Sequence, residues 1–175
     1  MPKRVASLET VEPVTGGLAR EIGKREPFES PAHEAYLNLI RTADLLSKEH
    51  AALFAEHGLS SPLYNILRIL SGHESDGEAG RHGVPATQVA REMITREPDI
   101  TRLADRLQKL GLVERHRCDS DRRVVRLRLT AQGRKKVRAL DRPALDLVES
   151  QFCHLAAAEV EALNRLLFKV TARPG

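Results

Sequence analysis

Between Ile94 and Arg134 the hydrophobic period of the chain changes twice, and this constrains the fold more than any other feature. Ile100, Leu103, Ala104, Leu107 and Leu110 recur at the spacing of one helix face, and Gly111 ends the run. Val125, Leu127 and Leu129 then alternate with Val124, Arg126 and Arg128, the period-2 pattern of a half-buried strand. A partner strand over 112–117 precedes it across the turn CDSDRR, and Thr130 is placed to cap a following helix. A groove-sized helix running into an arginine-tipped hairpin is a unit with which many proteins read double-stranded DNA.

Charge supports that reading. The net charge of the 175 residues is only +4. Residues 96–136, however, hold 13 Lys/Arg against 6 Asp/Glu, a local net of +7, and the remainder holds 15 against 18. A focused basic patch on a near-neutral body suits phosphate binding. Aromatic residues make up 3% of the chain and Trp is absent, which disfavours single-strand binding by base stacking. Two cysteines, Cys118 and Cys153, make no disulfide framework and no CxxC pair. The seven histidines are scattered, so no metal or other cofactor is expected. The opening MPKRVASLETVEPV lacks a signal-type apolar core, and no apolar run approaches the ~18 residues of a membrane span. The expected location is cytoplasmic, with no membrane partner.

The rest of the chain reads as helices. Residues 1–31 form a tail, partly disordered or holding a short helix at GLAREIGKR. The first long helix is expected over 31–57, with Leu39, Ala43, Leu46, His50 and Leu53 on its apolar stripe and Gly58 at its C-terminal cap. A second begins at Ser61 as N-cap with Pro62 next, burying Leu63, Ile66, Leu67 and Leu70. SGHESDGEAGRHG, 71–83, reads as a loop by composition. Residues 86–93 form a third helix with Ala86, Val89, Ala90 and Met93 inward, and a fourth starts at Pro98. The fifth, after Thr130, should kink near Pro143. The sixth, about 156–171, turns Val160, Leu163, Leu167 and Val170 inward, and Cys153 packs near a helix end. The fold class is therefore mainly α (α+β). It is a winged helix-turn-helix with long terminal helices shared with a second subunit. Residues 61–134 make the DNA-binding lobe, and 32–60 with 135–173 make the dimerisation region.

The candidate DNA contacts follow from this placement. Arg102, Arg106 and Lys109 stand at i, i+4 and i+7, opposite the leucine face, with Asp99, Thr101 and Asp105 on the outward side. The start of that helix enters the major groove, where Arg donates two hydrogen bonds to guanine and Thr meets a thymine methyl or a phosphate. Arg96 precedes it, and Arg117 leads into the hairpin tip. At that tip Arg123 can enter a narrow minor groove, with Asp121 holding its guanidinium and Arg122 beside it. Arg115, Arg117, Arg126 and Arg128 line the strands within reach of phosphates. The acids Asp99 and Asp105 fit better as groups that orient arginines or complement the positive helix end.

ITRLADRLQKLGLVER followed by DRRVVRLRLTAQGR resembles the core of the MarR family of bacterial transcription regulators. The Asp121-x-Arg123 wing followed by Leu129–Thr130 carries the resemblance most specifically. It implies a homodimer on a palindromic operator and a repressor relieved by a small, often phenolic or anionic, effector. It also implies an effector site between the dimerisation helices and the DNA-binding lobe, for which Arg41, His50, His57, Tyr64, Asn65 and Arg68 are the candidates. Arg68 could bind a carboxylate or pair with an acid such as Glu56. Two other readings stand beside this one. The winged helix could serve protein–protein contact. Alternatively, Cys118, among Arg115, Arg117, Arg122 and Arg123, could make a thiol-based redox sensor. No phosphate loop or nucleophile–base order points to an enzyme.

Overall fold

The computed structural model describes residues 17–96, 99–117 and 124–172. They fall into two compact units that meet in sequence between Ser47 and Lys48. The first unit contains helix α1 (Leu18–Glu21) and the start of α2 (Pro31–Glu56). Leu18 is buried there, and Arg41 pairs with Glu21 at 2.9 Å.

The second unit takes the end of α2, then α3 (Ser61–Gly72), a 3-10 turn (His73–Ser75), α4 (Gly77–His82), β1 (Val84–Pro85), α5 (Ala86–Glu92) and α6 (Ile100–Lys109). Strands β2 (Val113–Arg117) and β3 (Val125–Leu129) follow, then α7 (Ala131–Phe152) and α8 (Ala157–Thr171). The three strands form one antiparallel sheet in the order β1-β3-β2. Val113 faces Leu129 and Arg117 faces Val125 in the β2–β3 register. That register puts Leu127 and Leu129 inward, as the alternation predicts.

The core is built on α3. Leu63, Ile66, Leu67 and Leu70 are all buried and pack with Val89, Ala104, Leu107, Leu127, Leu129, Val137 and Leu140. Full burial of each such leucine stabilises by roughly 1.5–3 kcal/mol. Thr130 caps α7 as expected, its Oγ1 accepting from the Gly133 N–H at 2.9 Å and donating to the Gly111 carbonyl at 2.7 Å. Gly58 and Gly111 both adopt positive φ, which closes α2 and the turn after α6. The N-cap of α3 is Ser60 rather than Ser61.

The polar stretch 71–83 departs from expectation. It is ordered by short elements: the end of α3, the 3-10 turn, α4 and the entry to β1. Gly83, at φ 79°, lets the backbone run close to Leu127, and Val84 then pairs with that residue. Composition reads such a segment as loop because its helices are too short to show a period.

The terminal helices also differ from the simple reading. On α2, Leu39 and Ala43 are exposed, Leu46, His50 and Leu53 are half-buried, and Phe54 alone is buried. On α8 no residue is buried, and Leu167 and Val170 face solvent. Cys153 is exposed, as are Ala90 and Leu110. The stripes exist in the sequence, yet Leu39, Ala43, Leu167 and Val170 of them stay exposed. The helix α7 continues through Pro143 without a break.

A tight approach between α7 and the turn after α6 offers a stability test. A Cβ at Gly133 would run into the Leu112 carbonyl oxygen. Alanine is ordinarily the better helix former by up to about 1 kcal/mol. Here Gly133→Ala should instead lower the thermal midpoint, by an amount equivalent to about 1–3 kcal/mol of overpacking. A raised midpoint would show that the approach is not tight.

Candidate nucleic-acid interface

The site is organised by which face of α6 is buried. Ile100, Ala104 and Leu107 point into the core, and Thr101, Arg102, Arg106 and Lys109 are exposed on the opposite side. The helix start is fixed by Asp99, whose Oδ1 accepts from the Arg102 N–H at 2.9 Å. Its negative charge also complements the positive helix end. Asp99 thus has a structural role at the head of the helix, as its chemistry suggested. The turn before it is tethered to α3, where the Asn65 Oδ1 accepts from the Ile94 N–H at 2.9 Å.

The basic residues divide into two groups. Arg115, on β2, pairs with Asp105, on α6, and so joins the wing to the helix. Arg126 donates to the Gly83 carbonyl at 2.8 Å. Arg128 pairs with Glu114 across the hairpin at 2.9 Å and, by that hydrogen bond, holds the Glu114 carboxyl below its ordinary range. Arg134 engages Glu74 at 2.9 Å and the Leu129 carbonyl at 3.0 Å. Of the four strand arginines expected at phosphates, Arg115, Arg126 and Arg128 are therefore bonded within the fold, and Arg117, among the described residues, is not. The other group is Arg96, Arg102, Arg106, Lys109 and Arg117. All five are exposed, and none forms an ion pair among the described residues. The wing-tip residues Cys118, Asp121, Arg122 and Arg123 lie outside the described residues.

Of the effector candidates, Arg41 belongs to the first unit and the others to the second. His50 and Tyr64 both lie against Phe54, at ring-centroid distances of 6.2 and 4.3 Å, with the Tyr64 ring stacked. The Tyr64 hydroxyl donates to Asp141 at 3.4 Å, and Arg68 binds the same carboxylate oxygen at 2.6 Å. Burial, and then the Asp141 charge, raise the Tyr64 hydroxyl above its ordinary pKa. The partner of Arg68 is Asp141 of α7, not Glu56. Sequence reasoning missed Asp141 because only the packing of α3 against α7 brings it near. His57 is exposed, and its backbone carbonyl accepts from Lys136 Nζ at 3.2 Å. Arg41 belongs to the first unit and is engaged by Glu21. Among the described residues, no three His, Cys, Asp or Glu side chains are grouped to hold a metal ion, and no helix is long and apolar enough to cross a membrane.

A helix with one buried apolar face, followed by a two-stranded wing on a three-stranded sheet, defines a winged helix-turn-helix protein. The particular family follows from its relatives. The sequence model described as "MarR family" matches residues 57–124. The MarR transcription factor from Planctomyces limnophilus is 39% identical, matches over 81% of this chain and 98% of its own, and superposes with a TM-score of 0.60. Sco3205 of Streptomyces coelicolor, a MarR family regulator solved in complex with DNA, is 26% identical over 84% of this chain and 91% of its own, with a TM-score of 0.70. The transcriptional repressor MprA of Escherichia coli K12 is 26% identical over 74% of this chain and 69% of its own. The chain belongs to the MarR family, a family of transcription regulators rather than enzymes.

The capping role of Asp99 is separable from any part it plays at a ligand. Asp99→Ala should destabilise the isolated protein by about 1 kcal/mol, with Asp99→Asn close to wild type. Urea denaturation of both variants checks this. An unchanged midpoint for the alanine variant would remove the cap from the account.

Proposed function

We propose that the chain is a homodimeric repressor that binds a palindromic operator in double-stranded DNA and is released by a small aromatic or anionic effector. The observation that carries the reading is the division of basic side chains. The cations on the outer face of α6 project from the fold while those behind it are bonded internally. Family membership and the DNA-bound relative Sco3205 support the same reading. The name of the relative MprA supports repression in particular.

In this reading Thr101 and Arg102, in the first turn of α6, meet base edges in the major groove. Arg96, Arg106, Lys109 and Arg117 bind phosphates. Arg123 enters the minor groove with Asp121 orienting it and Arg122 beside it. Asp99 sets the height of the helix start through its cap. The exposed apolar residues of α8, among them Leu166, Phe168 and Val170, are the surface a second subunit would cover. The effector reading rests on Tyr64 and Arg68, which share Asp141, with His50 against the same Phe54 ring as Tyr64.

Two measurements test this. Sedimentation equilibrium should give a dimer, and a promoter fragment should be bound as a symmetric pair of half-sites about one helical turn apart. A monomer with no preference for a palindrome would overturn the proposal. Arg123→Ala should weaken operator binding by about 1–3 kcal/mol while leaving the thermal midpoint unchanged. Wild-type affinity in that variant would remove Arg123 from the interface.

A further inference from the structure

His73 stands in the 71–83 segment, which the DNA-binding reading leaves without a role. It closes α3, and its ring sits between two carboxylates from different elements. Nδ1 lies 2.7 Å from Asp76 Oδ2, at the head of α4, and Nε2 lies 2.7 Å from Glu92 Oε2, the last residue of α5. A neutral imidazole carries one N–H and one lone pair, so it can satisfy only one of these oxygens. The imidazolium, with two N–H groups, satisfies both. We propose that His73 is a positioning residue for DNA binding: only in its doubly protonated form does it bind Asp76 and Glu92 together, and so fasten the end of α5 and the head of α4 to α3 beside the turn that delivers α6. This rests on the DNA-binding function proposed above.

Among the described residues, the ring is left to these two acids. Gln88 donates to the other Glu92 oxygen at 2.8 Å, which orients that carboxylate toward His73. Glu74, next to His73, is drawn off by Arg134 of α7, and Arg128 of β3 by Glu114. On α4 the His82 side chain is exposed, and on α3 Arg68 is held by Asp141. Arg91, beside Glu92, is exposed and favours the ionised form of that carboxylate. The acceptor bonds of Glu92, then of Asp76, raise the His73 pKa above its ordinary value.

The route to the interface is short. Glu92 is followed by Met93, which is buried, and by Ile94, whose N–H is bonded to Asn65 of α3. The turn is therefore tied to α3 at two places, Glu92 and Ile94, before Asp99 caps α6. The sign follows from the raised pKa. The bond set is complete below the unfolded value of about 6.5 and is lost as pH rises through the higher folded value. The His73 form that helps present α6 is thus the acidic one.

Three readouts on the full-length protein test this. NMR titration of the His73 ring in the free protein should give a midpoint above about 6.5, moved down in Glu92→Gln. The Ile94 amide protection factor, corrected for intrinsic base catalysis, should fall through the same midpoint. Operator affinity should fall by about threefold to fivefold across it, the scale of one partly exposed ion pair. His73→Gln should remove that pH-dependent fall, whereas His116→Gln, altering a histidine on the wing strand, should retain it. A midpoint at or below about 6.5, or an unchanged pH profile in both His73→Gln and Glu92→Gln, would overturn the assignment. Absence of operator binding by the wild type at every pH would instead overturn the DNA-binding reading, and the ring and amide titrations would still decide the role of His73.

Discussion

The structure depends on the burial of one face of α6 against α3 and the sheet. Leu107 and Ala104 are almost wholly removed from solvent, and Leu63, Ile66 and Leu67 of α3 are completely so. A helix has one rotation about its axis that buries this seam, and that rotation sends Arg102, Arg106 and Lys109 outward together. The charge pattern of the surface is thus a consequence of core packing. The Asp105–Arg115 pair then sets the wing against the same helix, so that the two basic elements are held as one surface.

The arginines behind that surface show how a count of cations can mislead. The 13 Lys/Arg of residues 96–136 include Arg115, Arg126, Arg128 and Arg134, each of which has an acid or a carbonyl of the fold as partner. Such partly exposed pairs contribute modestly to stability, roughly 0–1 kcal/mol each. Their larger effect is on orientation: they hold the hairpin, the 71–83 segment and α7 in fixed relation. The field available to a phosphate comes from the smaller set that remains.

What was legible in the sequence follows from periodicity. The buried face of α3, the inward residues of β3, the Thr130 cap and the outward run on α6 were all readable, because each is a local pattern within one element or at its end. The segment 71–83 was not. Its helices are a turn or two long, and they are fixed by close approach: a Cβ at Gly80 would meet the Glu74 carbonyl oxygen. The pairings Arg68–Asp141 and His73–Glu92 span 73 and 19 residues, and nothing local marks them. The stripes of α2 and α8 were legible as apolar, but a single sequence does not say which molecule covers them. The strands of the wing were legible as a pattern, and its tip lies outside the described residues.

In the proposed function, the fold sorts its cations into those that face DNA and those that hold the hairpin. The most direct test is the salt dependence of operator binding in two single variants, Arg106→Gln and Arg128→Gln. Each neutralised phosphate adds about −0.9 to the slope of log K against log salt. Arg106→Gln should make the slope shallower by about 0.9 for each half-site, while Arg128→Gln should leave it unchanged. An equally shallower slope in both variants, or a shallower slope in Arg128→Gln alone, would contradict it.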